Sequence, residues 1–217
     1  MIKQLSCFAA AVLASLVATA ELASAHPHVW VTMRSELVYA PDGTVTGIRH
    51  AWTFDDMFSA FATQGIDSKQ RGVFTREELE PLAKTNIESL KDFDYFTVAR
   101  VNGKKADLVD PPRGYYLDYK DQILTLHFTL PFKAPQKAQD LQIEIYDPSY
   151  FVDFSFEKDN AVALVGAPAN CKMVVARPED MDPAMAAKLF QMAPDQKLSP
   201  SEMLGAQFAN RIRVKCS

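Results

Sequence analysis

Between Val29 and Tyr39 apolar and polar residues roughly alternate, the period of a strand with one buried face, and after Pro41-Asp42-Gly43-Thr44 the alternation resumes from Val45 to Phe54. Two such runs joined by an Asp-Gly turn predict a β-hairpin. The period then changes. Asp55-Asp56-Met57-Phe58-Ser59-Ala60-Phe61 reads as an acidic helix start, and Thr75 followed by Glu78 opens a longer helix to about residue 93, with Leu79, Leu82, Ile87 and Leu90 as its buried stripe. Strand patterns return over residues 95–101, 115–119, 123–130, 141–146, 151–156 and 161–166, with Asn102-Gly103 as a tight turn. Residues 182–192 and 199–208 read as helices, the second opened by Ser199-Pro200-Ser201-Glu202, before a last strand that carries Cys216. The predicted fold class is α+β: an antiparallel β-sandwich-like core, with a helical insertion after the first hairpin and helices near the C-terminus.

The first 25 residues follow a different logic. Lys3 is followed by an apolar run over residues 5–20 and then by Ala23-Ser24-Ala25, the small-x-small pattern of a secretory cleavage site. We therefore expect residues 1–25 to be a signal peptide cleaved after Ala25 and residues 26–217 to form a single periplasmic domain that does not span the membrane. Cys7 sits inside the signal and away from the cleavage junction, which argues against lipid anchoring. Glu21 near the junction leaves an uncleaved anchor as the rival expectation.

The apolar fraction of 48% and charged fraction of 23% are those of an ordinary globular chain. The formal net charge is −4, and removal of Lys3 and Glu21 leaves it unchanged. With a negative balance and scattered Lys and Arg, nucleic acid is not an expected partner.

Two cysteines remain after processing, Cys171 and Cys216. In an oxidising compartment they are expected to form a disulfide between neighbouring strands, tying down the C-terminus. A metal-binding cysteine pair is the weaker alternative, because the spacing is wide and no CxxC is present.

Cleavage after Ala25 exposes His26, followed by Pro27 and His28. A free α-amine and the imidazole of the same residue can close a chelate on copper, nickel, cobalt or zinc, and His28 adds a second imidazole. The amine must lose its proton to bind, so affinity falls in acid. Pro27 has no amide proton to lose, which rules out the square-planar amino-terminal motif built on deprotonated backbone amides. Along an extended strand His26, His28 and Trp30 share a face. Pairing through the Asp42-Gly43 turn sets Pro41 opposite Thr44, Trp30 opposite Asp55 and His28 opposite Met57. Asp55 then lies diagonal to His28, a candidate third ligand or hydrogen-bond partner of a ligand, although capping the following helix is the favoured role. His50 and His127 fall within strand patterns, where hydrogen-bonded or surface roles are favoured over metal ligation.

Asp67 to Glu78 has the frame of a calcium loop, with Asp first, Gly72 sixth and Glu78 twelfth. Lys69 and Arg71 occupy the third and fifth ligand positions and would repel calcium, so a helix-loop-helix without the ion is expected. Nucleophile elbow, phosphate loop, dinucleotide fingerprint and metalloprotease patterns are all missing, and no enzymatic activity is expected. The aromatic clusters at Tyr115-Tyr116, Tyr146, Tyr150-Phe151 and Phe154 to Phe156 read as sandwich core.

His26-Pro27-His28-Val29-Trp30-Val31, the run from Trp52 to Ser59, Asn86-Ile87-Glu88-Ser89-Leu90 and Tyr146-Asp147-Pro148 before Tyr150 together resemble a bacterial family of unknown function. Its members are labelled periplasmic components of uncharacterised ABC-type transport systems and are often encoded beside NicO-type nickel/cobalt exporters. The resemblance implies a periplasmic, non-enzymatic protein associated with transition-metal transport, with an inner-membrane transporter or permease as partner. His26 and His28 match the family's opening motif. The expected function is an accessory protein that binds or hands over a divalent metal through its mature N-terminus. An adaptor that docks on a permease without binding metal is the alternative. A copper oxidase that recruits His50 or His127 to the N-terminal histidine is a third.

Overall fold

The computed structural model describes residues 28–110, 112–178, 181–184 and 204–217. Residues 27–180 and 197–217 form one compact unit; a second grouping, residues 1–26 and 181–196, contributes only 181–184 to the described residues.

Strand β1 (Val29–Tyr39) and β2 (Val45–Phe54) form the expected hairpin. Asp55 ends β2 and caps α1 (Asp56–Ala62) by accepting from the Phe58 N–H at 2.7 Å. Helix α2 (Arg76–Leu90) opens with a complete capping box, in which the Thr75 hydroxyl accepts from the Glu78 N–H and the Glu78 carboxylate accepts from the Thr75 N–H. Leu79, Ala83 and Ile87 of α2 are buried in the core.

The remaining strands are β3 (Thr97–Val101), β4 (Lys104–Lys105), β5 (Arg113–Lys120), β6 (Ile123–Gln136), β7 (Asp140–Ile145), β8 (Val152–Phe156), β9 (Val162–Val165), β10 (Cys171–Ala176) and β11 (Asn210–Cys216). One sheet runs β5-β6-β2-β1-β8, with β9 also paired to β1; the other runs β10-β11-β7-β3-β4. Their inward faces share one core, to which Met33, Ile48, Trp52, Phe128 and Leu130 contribute from the first sheet and Ala99, Ile143, Ile145, Ile212 and Val214 from the second. Alternation along β1, β3, β6, β7 and β11 follows from this, since a strand covered on one face buries every second side chain.

The architecture is α+β with two sheets, and it corrects the expectation of an antiparallel core. After β7 the chain crosses to the first sheet and lays β8 and then β9 parallel to β1, along an edge that no hairpin had closed. The helix expected over 182–192 and most of that over 199–208 lie outside the described residues; the described part, Leu204–Phe208, is 3₁₀. Cys171 and Cys216 face each other across β10 and β11 and are joined as a disulfide. Among the described residues no helix is long and apolar enough to cross a membrane.

Candidate functional site

His28 is the first described residue. Its N–H donates to the Phe151 carbonyl at 2.9 Å, and its ring packs on that of Phe151, 4.7 Å between centroids. His28 and Trp30 share the outward face of β1, while Val29 and Val31 turn into the core. The predicted pairing of Trp30 with Asp55 is present: the Asp55 N–H donates to the Trp30 carbonyl at 3.0 Å, and the Trp30 N–H donates to Asp55 Oδ2 at 2.8 Å. Both Asp55 oxygens therefore accept from backbone amides, one holding α1 and the other β1, which makes Asp55 a cap and a clamp. His26 lies outside the described residues. Among the described residues no three His, Cys, Asp or Glu side chains gather as a metal-ligating cluster.

A carboxylate that sequence reasoning did not single out lies on the other side of β1. Asp153 pairs with Trp30 in the parallel register of β8, so it is diagonal to His28 on the same face. Burial raises its pKa above the ordinary carboxylate value. The signal that places it, a parallel pairing across more than a hundred residues, has no local trace in the sequence.

On the inward side of the same strand ends lies an apolar cleft of about 430 Å³. Val29 and Val31 of β1, with Trp52 and Phe54 of β2, line it from the sheet, and Phe58 of α1 stacks on Phe54 at 4.4 Å. Asn86, Ser89 and Leu90 from the end of α2 form one lip, and Asp147, Ser149 and Phe151 form the other. Trp52 meets Phe154 edge-on at 4.8 Å, Phe154 meets Phe96 at 5.4 Å, and Phe96 stacks on Phe93 at 5.2 Å, so a chain of aromatic rings runs from the interior to the surface. Phe93 and Phe151 are 51% and 41% exposed, which leaves large apolar surface at the mouth.

The backbone at this mouth is strained. Asp94, Tyr95 and Phe96 are three successive non-glycine residues with φ of 51°, 54° and 49°. Each costs on the order of 1–2 kcal/mol and persists only where its surroundings over-determine it. Here the Tyr95 hydroxyl donates to Asp110, which also pairs with Lys91 at 2.9 Å, and the Tyr146 N–H donates to the Phe96 carbonyl at 3.1 Å. This run ends a 3₁₀ segment, Lys91–Phe96, that lies between α2, which stops at Leu90, and β3, which starts at Thr97, both short of the expected helix and strand. The opposite lip is held by Asp147, whose carboxylate accepts from the Ser149 N–H, the Ser149 hydroxyl and the Val152 N–H.

His50 and His127 stand elsewhere. His50 points inward from β2, with Nδ1 2.9 Å from the Ser35 hydroxyl and Nε2 3.4 Å from that of Thr97, and burial pushes its pKa down to about 3. His127 lies on the outer face of β6, stacked on Tyr116 and 3.3 Å from Asp118. In the loop with a calcium frame, the Glu78 carboxylate accepts from the amides of Thr75 and Lys69.

Residues 11–216 match the family described as protein of unknown function, DUF1007. The chain belongs to this family. It is also similar to an uncharacterized protein of Haemophilus influenzae, 26% identical over 195 residues that cover 88% of this chain and 91% of that one. A second relative is an uncharacterized 15.5 kDa protein from the trpE 3' region of Spirochaeta aurantia, 31% identical over 99 residues, which are 45% of this chain and 70% of that one. In this DUF1007 chain the segments that carried the resemblance converge on one place: those around Val29, Trp52, Asn86 and Asp147 all wall the apolar cleft.

Proposed function

We propose that this DUF1007 protein is a periplasmic, non-enzymatic accessory component of a transition-metal transport system. In this reading it carries a divalent metal as cargo on its processed N-terminus and hands it to an inner-membrane transporter or permease. The observation that supports it is the anchorage of His28, the first described residue, whose backbone is held by Phe151 and whose ring is packed on it. One imidazole is thereby held immediately ahead of β1, two residues from the amine and imidazole that cleavage would free at His26. Asp153 is the carboxylate suited to complete the set, since it shares His28's face. Asp55 is a poorer donor, with both oxygens already accepting from amides. Copper, nickel, cobalt and zinc all suit amine and imidazole donors, and calcium does not.

Calorimetric titration of protein that begins at His26, beside a form with one added residue ahead of it, tests the chelate. The processed form should bind at least one of the four metals about tenfold or more tighter, a difference of about 1.4 kcal/mol. Equal affinities would remove the amine from the site. The exposed aromatic mouth favours a second reading, an adaptor that docks on a permease without metal. Full transport by a His26→Ala, His28→Ala variant would decide for it.

A further inference from the structure

The outer face of the second sheet is basic on a chain whose net charge is −4. Register sets Lys172 of β10 opposite Lys215 of β11, with Val174 opposite Arg213 and Ala176 opposite Arg211 along the same exposed face. Two carboxylates of β7 answer the arginines. Arg213 holds Asp140 through two nitrogens at 2.9 and 2.6 Å, and Arg211 meets Glu144 at 3.1 Å. The lysines are left over: neither Lys172 nor Lys215 comes within ion-pair distance of a carboxylate among the described residues. Like charges directly opposite each other across a ladder destabilise it, and an anionic guest removes that cost.

The shape of the face and its border describe the guest further. These side chains line a concave trough of about 1070 Å³, which a flat lipid surface would touch only at its rim. Strand β10 is the border of the trough and the edge of its sheet, paired with β11 on one side and with no described strand on the other. Such an edge offers main-chain donors and acceptors to an added strand. The Cys171–Cys216 disulfide occupies the register position next to the lysine pair and pins this edge to β11. Val174, in the middle of β10, is 66% exposed and gives an added strand an apolar contact.

We propose that β10 is a docking edge for an extended, acidic segment of a partner protein. The segment lies beside β10 as a further strand of the second sheet. Every second side chain then points over the trough, where carboxylates meet Lys172, and Lys215 behind it, as Asp140 meets Arg213. A lipid headgroup or a small anion supplies the charge but no main chain for the edge. This surface is independent of the metal reading, because His28 and Asp153 belong to the first sheet.

The probe is an alternating Glu-Val octapeptide with fluorescein at its N-terminus, followed by anisotropy against the folded protein with its disulfide intact. It should bind saturably, one peptide per protein, and weaken severalfold as salt rises from about 0.05 to about 0.5 M. The double variant Lys172→Glu, Lys215→Glu keeps like charges opposite each other, so its melting temperature should stay close to that of wild type. It should bind the Glu-Val peptide about tenfold or more weakly and take up a Lys-Val octapeptide instead, a rescue that a misfolded variant would not show. A fully N-methylated Glu-Val peptide, with its charge intact and its main-chain donors gone, should also bind about tenfold more weakly. Equal binding of the N-methylated peptide would overturn strand addition, and equal binding of a Gln-Val octapeptide would remove the charge from the recognition. If the Glu-Val peptide does not bind, the docking edge is wrong. Capture of phosphatidylglycerol vesicles by wild type and not by the double variant would then assign the face to a membrane. None of these outcomes bears on the titration of His26 with metal.

Discussion

His50 and Trp52 sit two residues apart on the same inward face of β2, and each is 1% exposed. Around His50 the interior is closed: two hydroxyls from neighbouring elements face its two nitrogens, and the rings of Trp52 and Phe128 cover its sides. Around Trp52 the interior opens into the cleft, with an unpaired donor, a strained backbone run at the mouth and exposed aromatics beyond it. The contrast separates two uses of buried polarity. A satisfied group locks the packing of two sheets in one arrangement, whereas an unsatisfied one carries a free-energy cost that the rest of the core must offset.

The sharpest way to break the comparison is to protonate the closed side. His50 titrates near about 6.5 in the unfolded chain, and burial pushes it down to about 3 in the fold. As pH falls the unfolded state takes the proton first, so this contribution is complete above pH of about 6.5. It is lost on acidification toward about 3, at up to about 1.4 kcal/mol per pH unit. Urea midpoints measured across that range should show the slope, and His50→Gln should remove it. A comparable effect comes from the disulfide that staples β10 to β11, which closes a separation of 45 residues. The pair Cys171→Ser, Cys216→Ser should lose about 4 kcal/mol by loop-closure entropy, read from denaturant melts.

Next in size is Ser35→Ala, which gives His50 the unpaired nitrogen that Trp52 already has. It should cost about 1–3 kcal/mol in the same melts, and a negligible cost would mean that the two sites are not different in kind. Smallest is Asp55→Ala, which removes the cap of α1 and the acceptor for the Trp30 N–H. A loss of about 1 kcal/mol is expected, with the local change visible in amide exchange at Phe58 and Trp30.

Local features of this fold were legible because local chemistry sets them. The Thr75 and Glu78 capping box and the Asp55 cap are short-range hydrogen bonds between named side chains and nearby amides, and both are present. The register that sets Trp30 opposite Asp55 is also present, but two departures cancel to produce it. The turn is one residue longer than the two-residue loop assumed, with the Gly43 N–H donating to the Ala40 carbonyl and the Ala40 N–H to that of Thr44. A bulge at Thr46 then restores the pairing from Val38 onward. What the sequence does not carry is pairing at long range. Nothing local distinguishes a strand such as β8, which joins β1 in parallel, from one that returns in a hairpin, so Asp153 and the cleft could not be placed. The aromatics expected as core divide accordingly: Tyr150, Phe154 and Phe156 are buried, while Phe151 sits at the mouth and Tyr116 lies on the outer face between Arg76 and His127.

Strand β11 is the last element of the chain, yet it lies between β7 and β10 and pairs with both. The second sheet can therefore close only when Asn210–Cys216 is in place, and until then β7 lacks one neighbour and β10 has none. Loss of the last dozen residues would strip out a central strand and one half of the staple together, so a stop codon near the end should be as damaging as one near the middle.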